Sequence, residues 1–391
     1  MKKYCFSIAA VFLLLIFIAV IHNSPGIDND KGNVFELPGV VLDVDNTQVL
    51  QTGLSNIGVQ MTRVMLTAGE FKGQVVTADN HMMGQLDLDE IYRSGDTILV
   101  AVQIIDHEIT NAKAINKLRQ NWELVLFGLF AVLLVLYAKN IGIKALISFV
   151  MSFLILWYVY FPTLLAGKQP LVVSLFVITL LAMVIIFSVA GFSKKGVAAF
   201  LGTMSGLVVT LGLTLFFGAQ LKLGGMTTPF STTLIMNGHY DLNMQQIFYA
   251  AVLLGASGAA MDIAMDVSAS MNEIKVKRPD ISPRELIQSG FNIGRVVIGT
   301  MATTLLLAYS GGYMTMLMVF VSQQTSVVRI VNMKILGAEI FRVLIGSIGL
   351  LIVAPVTAVV AGLLFSVSAN SVRSFPKQMI FWKQSKVKKS R

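Results

Sequence analysis

The sequence contains little charge and almost no cysteine. Of its 391 residues, 13% are charged and one, Cys5, is a cysteine, whereas an average soluble domain has about 25% charged residues. A single cysteine excludes a disulfide framework and a thiolate cluster for zinc or iron–sulfur. The low charge, with 55% hydrophobic residues and a mean hydropathy of +0.74, excludes a soluble enzyme and a disordered tail and indicates a membrane protein.

Acidic residues are absent between Glu123 and Asp241. They are concentrated in residues 23–121, which hold 13 of the 21 acids but 7 of the 30 Lys and Arg, so this segment has a net charge of −6 and the rest of the chain +15. The total of +9 therefore gives no reason to expect nucleic-acid binding. The partition predicts one acidic domain outside the membrane and a basic remainder.

Eight stretches are apolar and long enough to cross a bilayer as helices, which takes about 20 residues. They are residues 4–21, 122–138, 143–161, 171–191, 197–217, 247–267, 296–319 and 340–367. The first is either an uncleaved anchor or a signal peptide, and the lack of a clear small-residue cleavage site favours the anchor. The predicted fold is a membrane all-α bundle of about eight transmembrane helices, one N-terminal anchor plus seven, with an inserted small extracytoplasmic all-β domain.

Four regions are predicted. They are an anchor or signal peptide in residues 1–22, an extracytoplasmic β-rich domain and linker in 23–121, a seven-helix transmembrane domain in 122–367 and a basic cytoplasmic tail in 368–391. Lys and Arg near helix ends are retained on the cytoplasmic side, so their distribution predicts that both termini are cytoplasmic and that residues 23–121 lie outside. Residues 320–340 do not fit this count and form either an interfacial amphipathic helix or one more dip into the membrane.

Short strands broken by Gly, Asn and Asp make up residues 33–110. VVLDV, VQMTRVML, GQVVTA and DTILVAVQII alternate apolar and polar residues, with Ser94-Gly95-Asp96 as the turn before the last of them. This pattern is typical of a small β-barrel or sandwich. His81 and His107 stand alone and are expected to be solvated. Residues 111–120 are predicted to be helical and to lead into the membrane at Trp122.

Two acids lie inside a predicted span. In GASGAAMDIAMDVSASMNEI, Asp262 and Asp266 are four residues apart and so share one helix face. An Asp at the centre of a span costs about 2.5–3.5 kcal/mol on insertion scales, so both must face protein, water or an ion. Either they bind or relay a cation or proton, or Asp262 pairs with Arg295 or Arg342 to lock the bundle while Asp266 is hydrated.

More polar residues occur in and near the last two spans. Asn292, Arg295, Thr300 and Thr304 are more hydrogen-bonding groups than a helix surrounded by lipid needs, although threonine hydroxyls also bond their own helix. Glu339 and Arg342 open the last span one turn apart and are expected to form a local interfacial pair. Pro355 in the same span predicts a kink, as is common around transport sites.

Three blocks of the sequence resemble the YibE/F family of multipass bacterial membrane proteins. They are GASGAAMDIAMDVSASMNEI, ELIQSGFNIGRVVIGTMATTLLLAY and VNMKILGAEIFRVLIGSIGLLIVAPVTA, and the similar order of anchor, external β domain and seven-helix bundle extends the resemblance over essentially the whole chain. The sequence departs from the family pattern at Thr303 and Lys334. The pattern marks Asp262, Glu273, Asn292, Gly294, Arg295, Gly299, Thr300, Thr304, Asn332, Glu339, Arg342, Gly346 and Pro355.

The resemblance implies no established activity, only an expected role in transport. The predicted function is a secondary transporter or ion-coupled permease with an intramembrane ion, proton or polar network. Its residues are Asp262, Asp266, Asn292, Arg295, Thr300, Thr304, Asn332, Glu339 and Arg342. The alternative is a non-catalytic membrane scaffold or assembly factor whose external β domain binds a partner.

An enzyme is not expected, because the sequence contains no GxGD, HExxH, Walker or nucleophile-elbow motif. No cofactor and no nucleic-acid partner are predicted, and a metal stays open. The expected partners are the lipid bilayer, a cation or proton, a protein at the β domain and a second copy of the chain.

Overall fold

The computed structural model of the protein describes residues 34–105 and 107–372, with side chains as far as residue 366. The predicted anchor in residues 1–22 and most of the basic tail lie outside the described residues. The chain divides into two compact units, Met1–Ile143 and Lys144–Arg391. The first contains the β domain and the second most of the helices.

Five strands close into a barrel in the first unit. They are β1 (Val34–Thr52), β2 (Ser55–Leu66), β3 (Val75–Met83), β4 (Thr97–Ile105) and β5 (Glu108–Lys117). The order around the barrel is β1-β2-β3-β5-β4, and β1 also pairs with β4. Neighbours are antiparallel except β3 and β5, which are parallel. The arrangement corresponds to the five-stranded Greek-key barrel of the OB-fold.

Alternate side chains of the strands fill the barrel, as the sequence pattern predicts. The fully buried residues include Val64 and Leu66 on β2 and Ile98, Val100 and Val102 on β4. A turn at Gly95, whose φ is +91°, leads into β4. Of the two predicted forms, barrel and sandwich, the structure shows the barrel, and both histidines of this domain are exposed, as expected.

The predicted helix over residues 111–120 is wrong for residues 111–117, which belong to β5. Alanine and lysine favour a helix locally. In the barrel, however, Ala112 and Ala114 are buried on one face of the strand, and Lys113 lies opposite Asp79 of β3. Tertiary pairing thus overrides the local preference, and the helix begins at Gln120.

Gln60 is a fully buried polar residue inside the barrel. Its amide nitrogen donates to the side-chain oxygen of Asn46 (2.8 Å) and the carbonyl oxygen of Tyr92 (2.9 Å). Its Oε1 accepts from the Tyr92 N–H (3.0 Å) and from Nδ2 of Asn80 (3.1 Å). The side chain of Tyr92 is buried as well, and this burial raises the pKa of its hydroxyl to about 12. Gln60 therefore fixes the 84–96 connection to the first three strands.

Helices form the rest of the described chain, and six helical stretches are long and apolar enough to cross a membrane. The first of these stretches, Gln120–Leu165, includes non-helical angles at Lys139 and a π-helical turn at Leu156–Tyr160. The helices are α1 (Gln120–Ile155), α2 (Phe161–Leu165), α3 (Pro170–Ala190), α4 (Lys194–Gln220), α5 (Ser231–Met236), α6 (Met244–Lys277), α7 (Pro283–Gly312), α8 (Met314–Ser322), α9 (Val327–Val331) and α10 (Lys334–Val372).

The predicted number of eight spans is not confirmed: residues 4–21 lie outside the described residues, and the predicted spans 122–138 and 143–161 lie in one helical stretch, which is broken within α1. Lys139 has non-helical angles, φ 49° and ψ −124°. A Cβ added to Gly142 would lie 2.5 Å from the carbonyl oxygen of Leu134, although residues more than two turns apart do not touch in a straight helix. The chain therefore bends sharply at the point where the sequence predicts a boundary between two spans.

α6 lies at the centre of the second unit and packs against α3, α4, α7 and α10. Its buried face includes Ile263, Val267 and Met271. Small residues let the neighbouring helices approach closely: Gly202 on α4 faces Thr357 of α10, and Gly294 on α7 faces Ala354. α10 continues as one helix through Pro355.

The predicted 296–319 span is divided between α7, which begins earlier than expected, and α8. Ser282 and Glu285 form a capping box around Pro283, and this cap starts α7 well before the polar residues Asn292 and Arg295. The following segment contains α9, a five-residue helix. Between residues 323 and 333, the structure therefore contains no helix long enough to cross a membrane.

Candidate functional site

Asp262 and Asp266 occupy the middle of α6 and lie on its exposed face. The helix is positioned at one end by Asn243, whose side chain accepts from the Gln246 N–H (3.0 Å). The hydroxyl of Ser268 donates to the carbonyl oxygen of Lys195 at 2.7 Å and so ties α6 to the start of α4. As predicted, the two carboxylates share one face of a well-anchored helix.

The predicted ion pair that would lock Asp262 to an arginine does not form. Within residues 34–372, no Lys, Arg or His nitrogen lies within 4.0 Å of either carboxylate. Arg342 pairs instead with Glu339 at 3.4 Å, and the guanidinium of Arg295 donates to Oδ1 of Asn292 at 3.1 Å. The two arginines are thus engaged by residues of their own helices.

The threonines of α7 bond their own helix. The hydroxyls of Thr300, Thr303 and Thr304 donate to carbonyl oxygens three or four residues earlier, at 3.0–3.2 Å, and all three residues are exposed. Such bonds satisfy the hydroxyl donors without a neighbouring helix. The threonines therefore give no independent evidence of a polar bundle interior.

Glu339 and Arg342 form a buried pair in the first turns of α10. The Glu339 residue is 8% exposed. The Arg342 guanidinium carbon lies 5.7 Å from the ring centroid of Phe248 on α6 and 5.9 Å from that of Tyr309 on α7, distances at which a cation is attracted to an aromatic face. The predicted local pair is present, and three helices cover it.

The pair is not fully satisfied by its neighbours. Among the described residues, Oε2 of Glu339 and Nε of Arg342 are buried without a hydrogen-bond partner. A buried polar group without a hydrogen bond costs about 1–3 kcal/mol. Oε2 of Glu339 still faces Nη1 of Arg342 at 3.4 Å, so the ion pair offsets part of this cost, whereas Nε of Arg342 has no hydrogen-bond partner among the described residues.

Residues 126–367 match the family described as YibE/F-like protein. The match covers more than half of the chain and every residue of the predicted site. The chain belongs to the YibE/F family. No curated protein and no solved structure gives a significant match. The matched residues include most of the described helices, whereas the barrel lies before residue 126.

In this YibE/F family protein the two polar centres are separated along α6. Asp262 lies 14 residues after Phe248, a rise of about 21 Å at 1.5 Å per residue. α6 and α7 are antiparallel, because a Cβ on Gly255 would approach the Tyr309 hydroxyl and one on Gly290 would approach Sδ of Met271. The aspartates are therefore level with the middle of α7, and the buried pair lies near its end.

The remaining predicted site residues are placed apart. Asn332 follows α9, where its side chain donates to the carbonyl oxygen of Val328 at 2.7 Å, and no bond in the described part of the chain joins it to the other site residues. Arg295 and Pro355 line a cavity of about 260 Å³ between α7 and α10. The described residues contain no group of three or more His, Cys, Asp or Glu that could hold a metal ion.

Phe248 and Tyr309 complete the setting of the Glu339–Arg342 pair, and sequence reasoning missed both. They lie 61 positions apart in apolar spans, where an aromatic residue is ordinary. Only the packing of α6 and α7 against the start of α10 brings them to one guanidinium. No local pattern in the sequence identifies them.

Proposed function

We propose that this YibE/F family membrane protein is a secondary transporter or ion-coupled permease in which Asp262 and Asp266 bind a proton or cation. The observation that carries the proposal is the state of these two carboxylates. Both are exposed on α6, and neither has an ion-pair partner in the described part of the chain.

A purely structural role fits this arrangement poorly. A carboxylate in the middle of an apolar helix is costly unless protein, water or an ion satisfies it. A bundle lock requires a paired cation, and the arginines nearest in the predicted network are bound to Asn292 and Glu339. Water, a proton or a cation is therefore left to stabilise Asp262 and Asp266.

The face that carries the aspartates also has room for such a ligand. Gly258, one turn before Asp262 on the same side of α6, is exposed, and a Cβ added to it would meet no atom within 4 Å, whereas a Cβ on Gly255 would lie 2.6 Å from the Tyr309 hydroxyl. The absence of bulk beside two unpaired carboxylates supports a hydrated path along this side of the helix. We assign no reaction to the protein.

The proposed orientation follows the charge partition. Residues 23–121, with their net charge of −6, are on the outer side of a bacterial cytoplasmic membrane, and both termini are cytoplasmic. The lipid bilayer and a proton or cation are then the partners. The Glu339–Arg342 pair fixes the start of α10 against α6 and α7.

The decisive experiment measures ion-dependent proton movement in vesicles. Vesicles that contain the full chain and an internal pH-sensitive dye are given an imposed Na⁺ or K⁺ gradient. We expect faster proton movement than in empty vesicles, and Asp262→Asn should lose most of it because an amide cannot ionise. Asp280→Asn is the matched control, since Asp280 is exposed in the connection between α6 and α7.

A second readout needs no transported substrate. A hydrophobic carbodiimide reacts with protonated carboxyl groups in apolar surroundings, so it should modify Asp262 or Asp266, and raising the pH should protect them. Unchanged proton movement in a folded Asp262→Asn variant would contradict the proposal. So would a lack of modification at both aspartates, and either result would favour a scaffold.

A further inference from the structure

Three connections of the barrel meet at one of its ends. β1 and β3 are both antiparallel to β2, and β3 is parallel to β5, so β1, β3 and β5 run in the same direction. Their last residues therefore lie at the same end, which we call the α1 end. It comprises the turn after Thr52, residues 84–96, and residues 118–119, which lead into α1.

Large aliphatic side chains cluster at the α1 end. Leu50 and Leu54 at the β1–β2 turn are 70% and 85% exposed, and Met83 at the end of β3 is 74% exposed. Leu50 pairs with Ile57, which pairs in turn with Met83, so these three side chains form a row across three strands. Leu86 and Leu88 of the next connection, 66% and 59% exposed, continue the apolar surface.

The opposite end of the barrel has a different character. Its two turns present Glu70 and Lys72 between β2 and β3, and His107 and Glu108 between β4 and β5, all of them exposed. Phe35 in β1 is 52% exposed at this end, and Val34, Val75 and Ile105 are 45–47% exposed. The strongest apolar exposure of the barrel is thus concentrated where α1 begins.

The α1 end is close to the membrane by covalent connection. Two residues, Leu118 and Arg119, separate β5 from α1, and they reach at most about 7 Å. Trp122 in the first turn of α1 is 79% exposed, and tryptophan favours the membrane–water interface. The headgroup layer on each side of a bilayer is about 5–7 Å thick, which matches this short connection.

Several charges at the α1 end are compensated within the barrel, whereas Asp87 and Arg93 are exposed and form no ion pair among the described residues. Lys117 pairs with Asp96 at 2.8 Å, and Arg119 pairs with Glu90. The carboxylate of Asp89 accepts from the backbone N–H groups of Met83 and Gln85, both at 2.8 Å. These bonds reduce the cost of bringing the surface to lipid and hold the 84–89 segment that presents Leu86 and Leu88.

We propose that the α1 end of the barrel rests on the lipid bilayer, with Leu54, Leu86 and Leu88 entering the headgroup layer. Burial of exposed aliphatic surface at the acyl boundary stabilises this contact. The bilayer is the occupant because α1 leaves the barrel through the same apolar end. The proposal does not depend on the transport function.

The test places an environment-sensitive fluorophore at each end of the barrel in the full chain. In a Cys5→Ser background, Leu54→Cys carries the label at the α1 end and Lys72→Cys at the opposite end. Both proteins are reconstituted in phosphatidylcholine–phosphatidylglycerol vesicles, with or without lipids that carry a nitroxide near the headgroup. We expect a blue shift and loss of emission with nitroxide lipid at position 54, and water-like, unquenched emission at position 72.

Each other result overturns the proposal. Unquenched, water-like emission at both positions means that the barrel stays clear of the bilayer. Equal quenching at both means that it lies on its side. A blue shift at position 54 without quenching by nitroxide lipid means that protein, either a partner or a second copy, covers the α1 end.

Discussion

Gln60 shows how much one buried side chain controls in this protein. Its amide group makes four hydrogen bonds that reach Asn46, Asn80 and both backbone groups of Tyr92. An apolar replacement would leave these partners inside the barrel without water. Each buried group left unpaired costs about 1–3 kcal/mol.

We therefore expect Gln60→Leu to lower the stability of the barrel by at least about 1–3 kcal/mol. Hydrogen exchange of the β2 and β4 amides in the full chain, followed by mass spectrometry, measures the change as faster exchange. Gln51→Leu is the matched control, because Gln51 is exposed near the end of β1. Equal exchange in the Gln60→Leu and Gln51→Leu proteins would show that the network is not needed for stability.

The candidate site was predictable in part at the residue scale. The spacing of Asp262 and Asp266 predicts a shared helix face, and the one-turn spacing of Glu339 and Arg342 predicts their pair. Spacing within one helix cannot show that Arg295 bonds Asn292 and leaves Asp262 unpaired, because that choice depends on how three helices pack. The partners Phe248 and Tyr309 were out of reach for the same reason.

At the scale of elements, the contact between α7 and α10 depends on small residues. A Cβ on Gly294 would lie 2.9 Å from the Cβ of Ala354, and one on Gly290 would lie 2.8 Å from the Cβ of Ala358. Real Cβ atoms do not approach so closely, so a larger side chain would push the helices apart. Close approach of small residues is a common basis of helix association in membranes.

Gly294→Val should therefore destabilise the helical bundle, by about 1–3 kcal/mol as is typical of an overpacked site. The thermal unfolding midpoint of the protein in detergent should fall. Gly299→Val in the same helix is the control, since a Cβ there would meet no atom within 4 Å. A similar midpoint for both variants would contradict the close contact of α7 with α10.

The elements that sequence patterns predicted best are those whose residues decide the structure locally. β2 and β4 alternate clearly, and the spans predicted in α3 and α4, residues 171–191 and 197–217, contain no charged residue. β5 was missed because its helix-favouring Ala112 and Lys113 become a strand only by pairing with β4 and β3. The break at Lys139 coincides with the predicted boundary between two spans, and the chain is helical on both sides of it.

Across the whole molecule, the acidic residues 23–121 and the basic remainder of the chain predict opposite sides of the membrane. The proposed orientation places Lys72, in the β2–β3 turn, outside the cell and Asp280, in the α6–α7 connection, inside. Both residues are exposed, so each can be replaced by cysteine with little effect on packing. Cysteines at positions 72 and 280 therefore report on which side of the membrane each segment lies.

In a Cys5→Ser background, a membrane-impermeant maleimide applied to intact cells should label Lys72→Cys and leave Asp280→Cys unlabelled. After the cells are opened, both variants should react, which controls for accessibility. Labelling of Asp280→Cys in intact cells would contradict the proposed orientation.

The parallel pairing of β3 with β5 also determines when the barrel can be completed. β5 is the last of the five barrel strands in sequence, and it closes the barrel by joining β3 and β4. A chain that ends before Glu108 would leave β3 and β4 with unpaired edges, which are templates for intermolecular association. Incomplete synthesis of this domain should therefore produce a species prone to aggregation, and the ten residues of β5 protect the finished barrel from that outcome.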